Sequence, residues 1–395
     1  MKIFNSLTQK LEEFKPLNNN RVTIYVCGIT PYDTTHLGHA FTYISFDALI
    51  RYLKFKGFNV IYTQNVTDIN DRDKDILQRA KEQNISWQKL SEFWTEKFLS
   101  DMKCLNWISP TNYLKASENI PAMLNLIQKL LDNSLGYIVN GSVYLDISKV
   151  SGYGKLSKLF DREKMIKVAK DFEEDLENPD KRNPLDITLW RASKPNDPKH
   201  IPSFAFDSKG LARHVSEALQ AGRPGWHIEC SAMSISTLGE QIDIHGGGSD
   251  LKFPHHEAEI AQSEGATGKI PFAKYWLHTG TVGYRGQKMS KSKGNLVMVS
   301  DLLKKYSQNA IRWLILSHHW HEDWEFKEED LARAQKNVEL VENLNLHLRG
   351  GGIKEFTRLM DNNLDTPKTL EYLLNLVEQN SKVELKKLYN ILGFI

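Results

Sequence analysis

The sequence predicts an α/β protein: a doubly wound, Rossmann-type parallel sheet that is split by an insertion and followed by a bundle of helices. Three observations carry that expectation. Strand-length apolar runs alternate with helical periodicity near the start; the character changes to short strand-like pieces and charged stretches between Gly136 and roughly Arg223; helical periodicity dominates from Asp301 onward. At 395 residues, with 41% hydrophobic and 25% charged side chains, the chain is of ordinary globular composition and too long for one core. A net charge of +2 does not mark the whole chain as a nucleic-acid binder, although it leaves room for a local basic surface. Met1-Lys2-Ile3-Phe4-Asn5 lacks an apolar leader core and no later stretch approaches a membrane span, so the expectation is a cytoplasmic protein without a membrane partner. Three cysteines cannot make a disulfide framework, so each is a buried thiol, a ligand or a nucleophile.

The elements follow in order. Arg21-Val22-Thr23-Ile24-Tyr25-Val26-Cys27 is a β-branched and aromatic run between Asn18-Asn19-Asn20 and Gly28, and reads as a strand. Apolar residues recur at helical spacing from Gly38 to about Phe55, Gly57 closes that helix, and Phe58 to Gln64 reads as a second strand. The resulting βαβ unit implies parallel neighbours, with ligands at the carboxyl ends of the strands, where Cys27, His36, His39, Thr67 and Asp68 fall. Asp71 to about Leu105 reads as charged helix with Trp87, Phe93, Trp94 and Phe98 turned inward, and Met123 to Asn133 as an amphipathic helix. Tyr137-Ile138-Val139 and Val143-Tyr144-Leu145 are strand-like, the run from Asp161 to Lys181 is charged, and Gln241-Ile242-Asp243-Ile244 leads into a loop from His245 to Asp250. The expected division is 1–120 for the first half of the Rossmann domain, 121–222 for the insertion, 223–305 for the second half, and 306–395 for the helical bundle.

Two distant stretches suggest a nucleotide site. In the first, a strand turns at Cys27-Gly28 into a helix, and the free amide groups and positive dipole end of such a helix suit a phosphate. His36 and His39 share a face of the first turn and could stabilise charge developing in nucleotidyl transfer, while Gly38 leaves room for a flat ring. In the second, Lys288-Met289-Ser290-Lys291-Ser292-Lys293, the lysines sit among Gly280, Gly283, Gly286 and Gly294, a mobile setting for closing over a triphosphate and its pyrophosphate leaving group. Taken singly, a surface histidine pair and a solvated lysine turn are the plainer readings.

A third constellation points to metal. Pro254-His255-His256-Glu257-Ala258-Glu259 opens a helix on which His255 and Glu259, four apart, face the same way. If Cys27 and Cys230 both sit at strand ends, Cys27, Cys230, His255 and Glu259 offer two sulfurs, a nitrogen and an oxygen, a set zinc accepts tetrahedrally. His256 or Glu257 can substitute in that set. Cys104, among Met102, Leu105 and Trp107, reads as a core thiol.

Cys27-Gly28, His36-Leu37-Gly38-His39, Gly225-Trp226-His227-Ile228-Glu229-Cys230, Gly246-Gly247-Gly248-Ser249-Asp250, Pro254-His255-His256-Glu257 and Lys288-Met289-Ser290-Lys291-Ser292 together resemble the signature set of the cysteinyl-tRNA synthetase family, in the family's order over about residues 20 to 340. The resemblance implies a class I synthetase Rossmann core with an inserted connective domain. It implies ATP, with Mg²⁺, between the two nucleotide stretches, bound by Gly38, His36, His39 and Lys291, with His36, His39, Lys288 and Lys291 as the catalytic groups. It implies one zinc ion per chain on Cys27, Cys230, His255 and Glu259, with Thr67 and Asp250 near the substrate L-cysteine and Trp226 closing over it. A thiolate on zinc would separate cysteine from the nearly isosteric serine without an editing domain. The implied acceptor of the cysteinyl group is tRNA(Cys), and the expected state a monomer. Helices run to Ile395 with no separate anticodon-binding domain expected, and Gly28-Ile29-Thr30-Pro31-Tyr32-Asp33, Phe41 in place of the family's arginine, His278-Thr279-Gly280 and Glu322-Asp323-Trp324 resemble the mycothiol cysteine ligase branch. Transfer to an amino-sugar or other small amine is therefore the alternative; Asp243-Ile244-His245 and Glu259-Ile260-Ala261-Gln262 weigh toward tRNA. A non-catalytic synthetase-like binding protein is the remaining reading, opposed by the completeness of the motifs.

Overall fold

A hairpin of β1 (Lys2–Asn5) and β2 (Lys10–Glu13) precedes the central unit β3 (Arg21–Ile29), α1 (Leu37–Phe55) and β4 (Asn59–Val66). The computed structural model describes residues 1–72, 74–193, 220–289, 293–343, 352–378 and 385–395. The side chain of His36 caps α1 by accepting from the amide of His39, and Gly57, at φ +93°, ends the helix in a conformation only glycine adopts freely. Next come α2 (Ile76–Glu82), α3 (Trp87–Cys104), β5 (Asn112–Lys115) and α4 (Ile120–Asp132). The stretch expected as one helix from Asp71 to Leu105 is thus two, broken where Asn84 takes a positive φ of 53°. Phe98 is buried, but Phe93 is 58% exposed and Cys104 is exposed, so neither belongs to the core. Both sit on the solvent side of α3, whose buried stripe is Leu90, Ser91, Thr95, Phe98, Asp101 and Met102.

Chain between the two halves of the main sheet builds a separate antiparallel sheet: β6 (Gly136–Val139), β7 (Ser142–Leu145), then, after α5 (Arg162–Asp171), β8 (Ile187–Ala192) and β9 (Gly222–Pro224), hydrogen-bonded in that order. The main sheet resumes after α6 (Trp226–Leu238) with β10 (Ile242–Gly248), α7 (His255–Thr267) and β11 (Ala273–Thr279). Its order is β11-β10-β3-β4-β5, every pair parallel. β10 runs through the glycines that the sequence suggested were loop. A Cβ on Gly246 would come within 2.0 Å of the Phe46 ring, so this strand end is built for close packing rather than for a turn.

Alternation along β3 separates its side chains: Val22, Ile24 and Val26 pack toward α1, whereas Tyr25 and Cys27 pack toward α4, α6 and α7. That period puts Cys27 on the face covered by α6 and α7. Beyond β12 (Val282–Tyr284) and β13 (Gln287–Lys288) lie α8 (Val299–Leu302), α9 (Gln308–Leu316), β14 (Trp324–Glu325), α10 (Glu328–Glu342), α11 (Ile353–Met360), α12 (Thr366–Glu378) and α13 (Leu385–Ile391). Their apolar faces share one core with α1, and buried Arg312 of α9 pairs with buried Asp47 of α1 while donating to the carbonyls of Leu105 and Leu392. Among the described residues no helix is long and apolar enough to cross a membrane.

Candidate active site and metal centre

Chain order in the main sheet reverses between β3 and β10: from β3 the chain proceeds outward to β4 and β5, then returns to add β10 and β11 on the other side. Carboxyl ends of strands at such a reversal are where open α/β sheets bind ligands. A cavity of about 330 Å³ opens there. It is lined by Cys27, Gly28, His36, Gly38, His39, Asn65, Thr67, Trp226, Cys230, Asp250, His255 and Lys288, among others, so nearly all of the site residues expected from sequence border one space. Glu259 is fully buried behind it, and Lys291 lies outside the described residues.

At the nucleotide end, the His36 and His39 rings stack with centroids 3.7 Å apart at the start of α1. Thr34 Oγ1 lies 3.4 Å from His39 Nδ1, and Thr42 Oγ1, one turn further on, lies 2.8 Å from Thr279 Oγ1 at the end of β11. Gly38 makes room for a ring, but that ring is His36: a Cβ there would stand 3.0 Å from it. Lys288 reaches Asp250 at 2.7 Å across the cavity mouth. Asp250, expected beside the amino acid, therefore neutralises the lysine here. Downstream of the lysine stretch the chain is pinned to the start of α1, with the amide of Leu37 donating to Val297 and that of Val299 to Thr35.

At the other end, donor atoms converge. Cys27 Sγ lies 3.8 Å from Cys230 Sγ and 3.4 Å from Glu259 Oε1, and His255 Nε2 lies 3.2 Å from the same carboxylate oxygen. With Zn–S about 2.3 Å and Zn–N or Zn–O about 2.0–2.1 Å, the edges of a tetrahedral S₂NO shell are about 3.8, about 3.5 and about 3.3 Å. The set Cys27, Cys230, His255 and Glu259, whose ligand atoms all lie within 4.8 Å of one another, fits such an ion. Cys230 comes from the second turn of α6, not from a strand end; a helix starting at Gly225 aims it back at β3. Burial keeps His255 neutral, well below the ordinary histidine range, with one ring nitrogen free to ligate, and lifts the Glu259 carboxyl to about 7 and the Cys27 thiol well above its usual value. An ion would supply positive charge directly between these donors, where it can hold thiolate and carboxylate together.

A second combination, Cys27, His245, His256 and Glu259, is equally close-set. Its histidines stand behind the cavity: His256 Nδ1 is held at 2.8 Å by His278 Nε2, and His245 Nε2 holds the far oxygen of Glu259 at 2.8 Å. They orient ligands more readily than they meet a substrate. Glu257 is excluded from either set, because its carboxylate accepts from the amides of Gly154 at 3.1 Å, Leu156 at 2.5 Å and Ser157 at 2.7 Å.

Asn65, Arg72 and His227, assigned no role from sequence, join Gly28, Thr67 and Trp226 to complete the site. A Cβ at Gly28 would stand 1.6 Å from the carbonyl oxygen of Asn65, so only glycine passes here; the Gly28 amide donates to Asn65 Oδ1 at 2.8 Å, and Asn65 Nδ2 donates to Thr67 Oγ1 at 3.1 Å. Trp226 lies over His255 with ring centroids 4.3 Å apart, while the Arg72 guanidinium covers the indole at 3.7 Å. His227 Nδ1 meets His255 Nδ1 at 2.8 Å. The run Gly225–Cys230 carried a visible signal for His227; nothing in sequence linked Arg72 or Asn65 to it.

This parallel sheet, with its ligand cavity at the reversal and paired histidines at a helix start, is that of a class I aminoacyl-tRNA synthetase. The profile for "tRNA synthetases class I (C) catalytic domain" matches residues 13–336. A cysteine–tRNA ligase of Dehalococcoides mccartyi is 42% identical over 97% of this chain and 81% of its own length, and one of Legionella pneumophila is 38% identical over the whole chain and 85% of its own length. The chain belongs to the cysteinyl-tRNA synthetase family. In fold it also resembles Mycobacterium tuberculosis methionyl-tRNA synthetase, solved with methionyl-adenylate, at TM-score 0.62 and 15% identity over 94% of this chain and 84% of that one.

Proposed function

We propose that this protein activates L-cysteine with ATP and transfers the cysteinyl group to tRNA(Cys). One observation carries the reading: a single cavity has a stacked histidine pair and a lysine at one end and a soft S₂NO donor set at the other. Cysteine bridges the two, its sulfur toward Cys27, Cys230 and His255 and its carboxylate toward His36 and His39. A zinc ion held by Cys27, Cys230, His255 and Glu259 would favour a thiolate sulfur over a hydroxyl oxygen. Trp226 closes the thiol end and excludes water; Thr67, oriented by Asn65, faces the amino acid.

In the first step the cysteine carboxylate attacks the α-phosphate of ATP, bound with Mg²⁺, and pyrophosphate leaves. His36 and His39 stabilise the charge on the α-phosphate oxygens, and Lys288 and Lys291 that on the departing pyrophosphate. Lys288 must leave Asp250 to do so, which frees that carboxylate for the cysteine ammonium. In the second step a ribose hydroxyl of the acceptor attacks the cysteinyl carbonyl and AMP leaves. The relatives named above are tRNA ligases, which supports tRNA over a small amine as acceptor. Incubation with labelled cysteine, ATP, Mg²⁺ and a tRNA(Cys) transcript is expected to give acid-precipitable label. Label found only on an added amino-sugar pool would overturn the acceptor assignment.

A further inference from the structure

Glu174 lies in the segment that separates the two halves of the main sheet, far in sequence from every residue of the cavity. α5 ends at Asp171, and Glu173 takes a left-handed φ of 57° while its amide and that of Glu174 close on Lys170 and Ala169. The turn it makes sends the Glu174 side chain inward, to 16% exposure. There one carboxylate oxygen, Oε1, serves two partners: Arg72 Nη2 at 2.8 Å and His227 Nε2 at 3.2 Å.

Each partner leads to one part of the cysteine end. The Arg72 guanidinium lies 3.7 Å above the Trp226 indole, and the same indole stacks on His255 with ring centroids 4.3 Å apart, so both groups hold the ring. Phe172, also from the segment after α5, stacks parallel to the same indole at 6.3 Å. His227 lies 2.8 Å from His255 through the Nδ1 atoms of both rings. A carboxylate only accepts, so His227 donates to Glu174 from Nε2. Its other ring nitrogen, Nδ1, meets Nδ1 of His255, and that contact leaves His255 Nε2 aimed at Glu259 beside the thiols. One acidic side chain thereby sets both the ring orientation of His255 and the position of Trp226.

We propose that Glu174 is a positioning residue for cysteine specificity, coupling the inserted segment to the thiol end of the cavity through Arg72–Trp226 and His227–His255. This rests on the reading of that end as a metal-held cysteine site. Its consequence is that movement of the inserted segment, such as seating of an acceptor against it, reaches the amino-acid pocket without touching substrate.

The test uses the full-length, metal-loaded chain and three readouts: KM for cysteine and for ATP in pyrophosphate exchange, and the rate at which a chelator strips metal. Wild type must exchange with cysteine; if it does not, the reading of the site fails and not the coupling. Glu174→Ala is expected to raise cysteine KM at least about tenfold with ATP KM changed less than about twofold, and to speed metal release by about 10–100-fold. Arg72→Lys, which keeps the charge but not the planar stack, is expected to raise cysteine KM alone; His227→Phe is expected to speed metal release most. Unchanged ATP KM confirms that each variant is folded. Glu174→Ala with wild-type cysteine KM and wild-type metal release would overturn the coupling, as would equal loss for cysteine and ATP.

Discussion

Gly28→Ala tests whether the strand end at Cys27 is as tightly constrained as its surroundings imply. The added methyl would stand 1.6 Å from the carbonyl oxygen of Asn65 and 2.6 Å from its carbon, where real Cβ atoms essentially never come within 3.0 Å. Since both partners are backbone of hydrogen-bonded neighbours β3 and β4, no side-chain rotation relieves the contact, and one strand end must move by about 1.4 Å. Metal ligands tolerate errors of only about 0.2 Å, and a displacement of about 1 Å at a reacting group costs about 100-fold in rate. Cys27, one residue away, would leave its 3.8 Å and 3.4 Å spacings to Cys230 and Glu259. The expected outcome is a folded protein destabilised by about 3 kcal/mol, with substoichiometric zinc by metal analysis and cysteine-dependent exchange down at least about 100-fold. Gly38→Ala is the contrast: its Cβ meets only the His36 ring, at 3.0 Å, so zinc stays and the effect falls on ATP. Full zinc content and normal cysteine KM in Gly28→Ala would refute the reasoning.

Three further outcomes follow from other parts of the molecule. Asp47→Ala strands the buried Arg312 charge and should cost about 3–5 kcal/mol; with unfolding entropy of about 0.8 kcal/mol/K for a chain of 395 residues, calorimetry should show Tm lowered by about 4–6 °C. His39→Ala should cut the exchange kcat by about 100–1,000-fold with cysteine KM nearly unchanged, while His36→Ala should add about 1 kcal/mol of lost stability because His36 also caps α1. Burial holds His245 and His256 at about 3 and His318 at about 4, so the native chain stays neutral there while the unfolded chain protonates below about 6.5. Urea titrations of metal-free protein should therefore show stability falling as pH drops from about 6.5 toward 4. His255, His278, His319 and His321, also lowered by burial, act in the same direction, while Glu259, lifted to about 7, and Asp68, Asp71, Glu229 and Glu257, raised by burial, act in the opposite one, five groups against seven; stability that rises on acidification through this window would contradict the assignment.

How far the residues announced this arrangement depended on how local each signal was. The strand at Arg21, the helix beginning after His36 and the i, i+4 pair His255 and Glu259 were all legible, because period and capping act over a few residues. Alternation along β3 even fixes the face on which Cys27 lies. The zinc set supposed Cys230 at a strand end, whereas Gly225 caps a helix that carries it in its second turn. The glycines of β10 read as loop because the Phe46 ring that Gly246 accommodates is two hundred residues away in sequence. Cys104 and Phe93 were assigned to the core by composition, although α3 turns both to solvent. Asn65, Arg72 and Glu174 were not found at all: each is an ordinary polar residue locally, and only tertiary contact gives it a role.

The central claim is that one cavity reads a thiol and forms its adenylate. ATP–pyrophosphate exchange measured side by side with L-cysteine and L-serine tests it most directly. Exchange with cysteine at a kcat/KM at least about 10⁴-fold above that with serine is the predicted result, since shape alone separates such isosteres by only about 100-fold. No exchange with cysteine, or comparable exchange with serine, would contradict it.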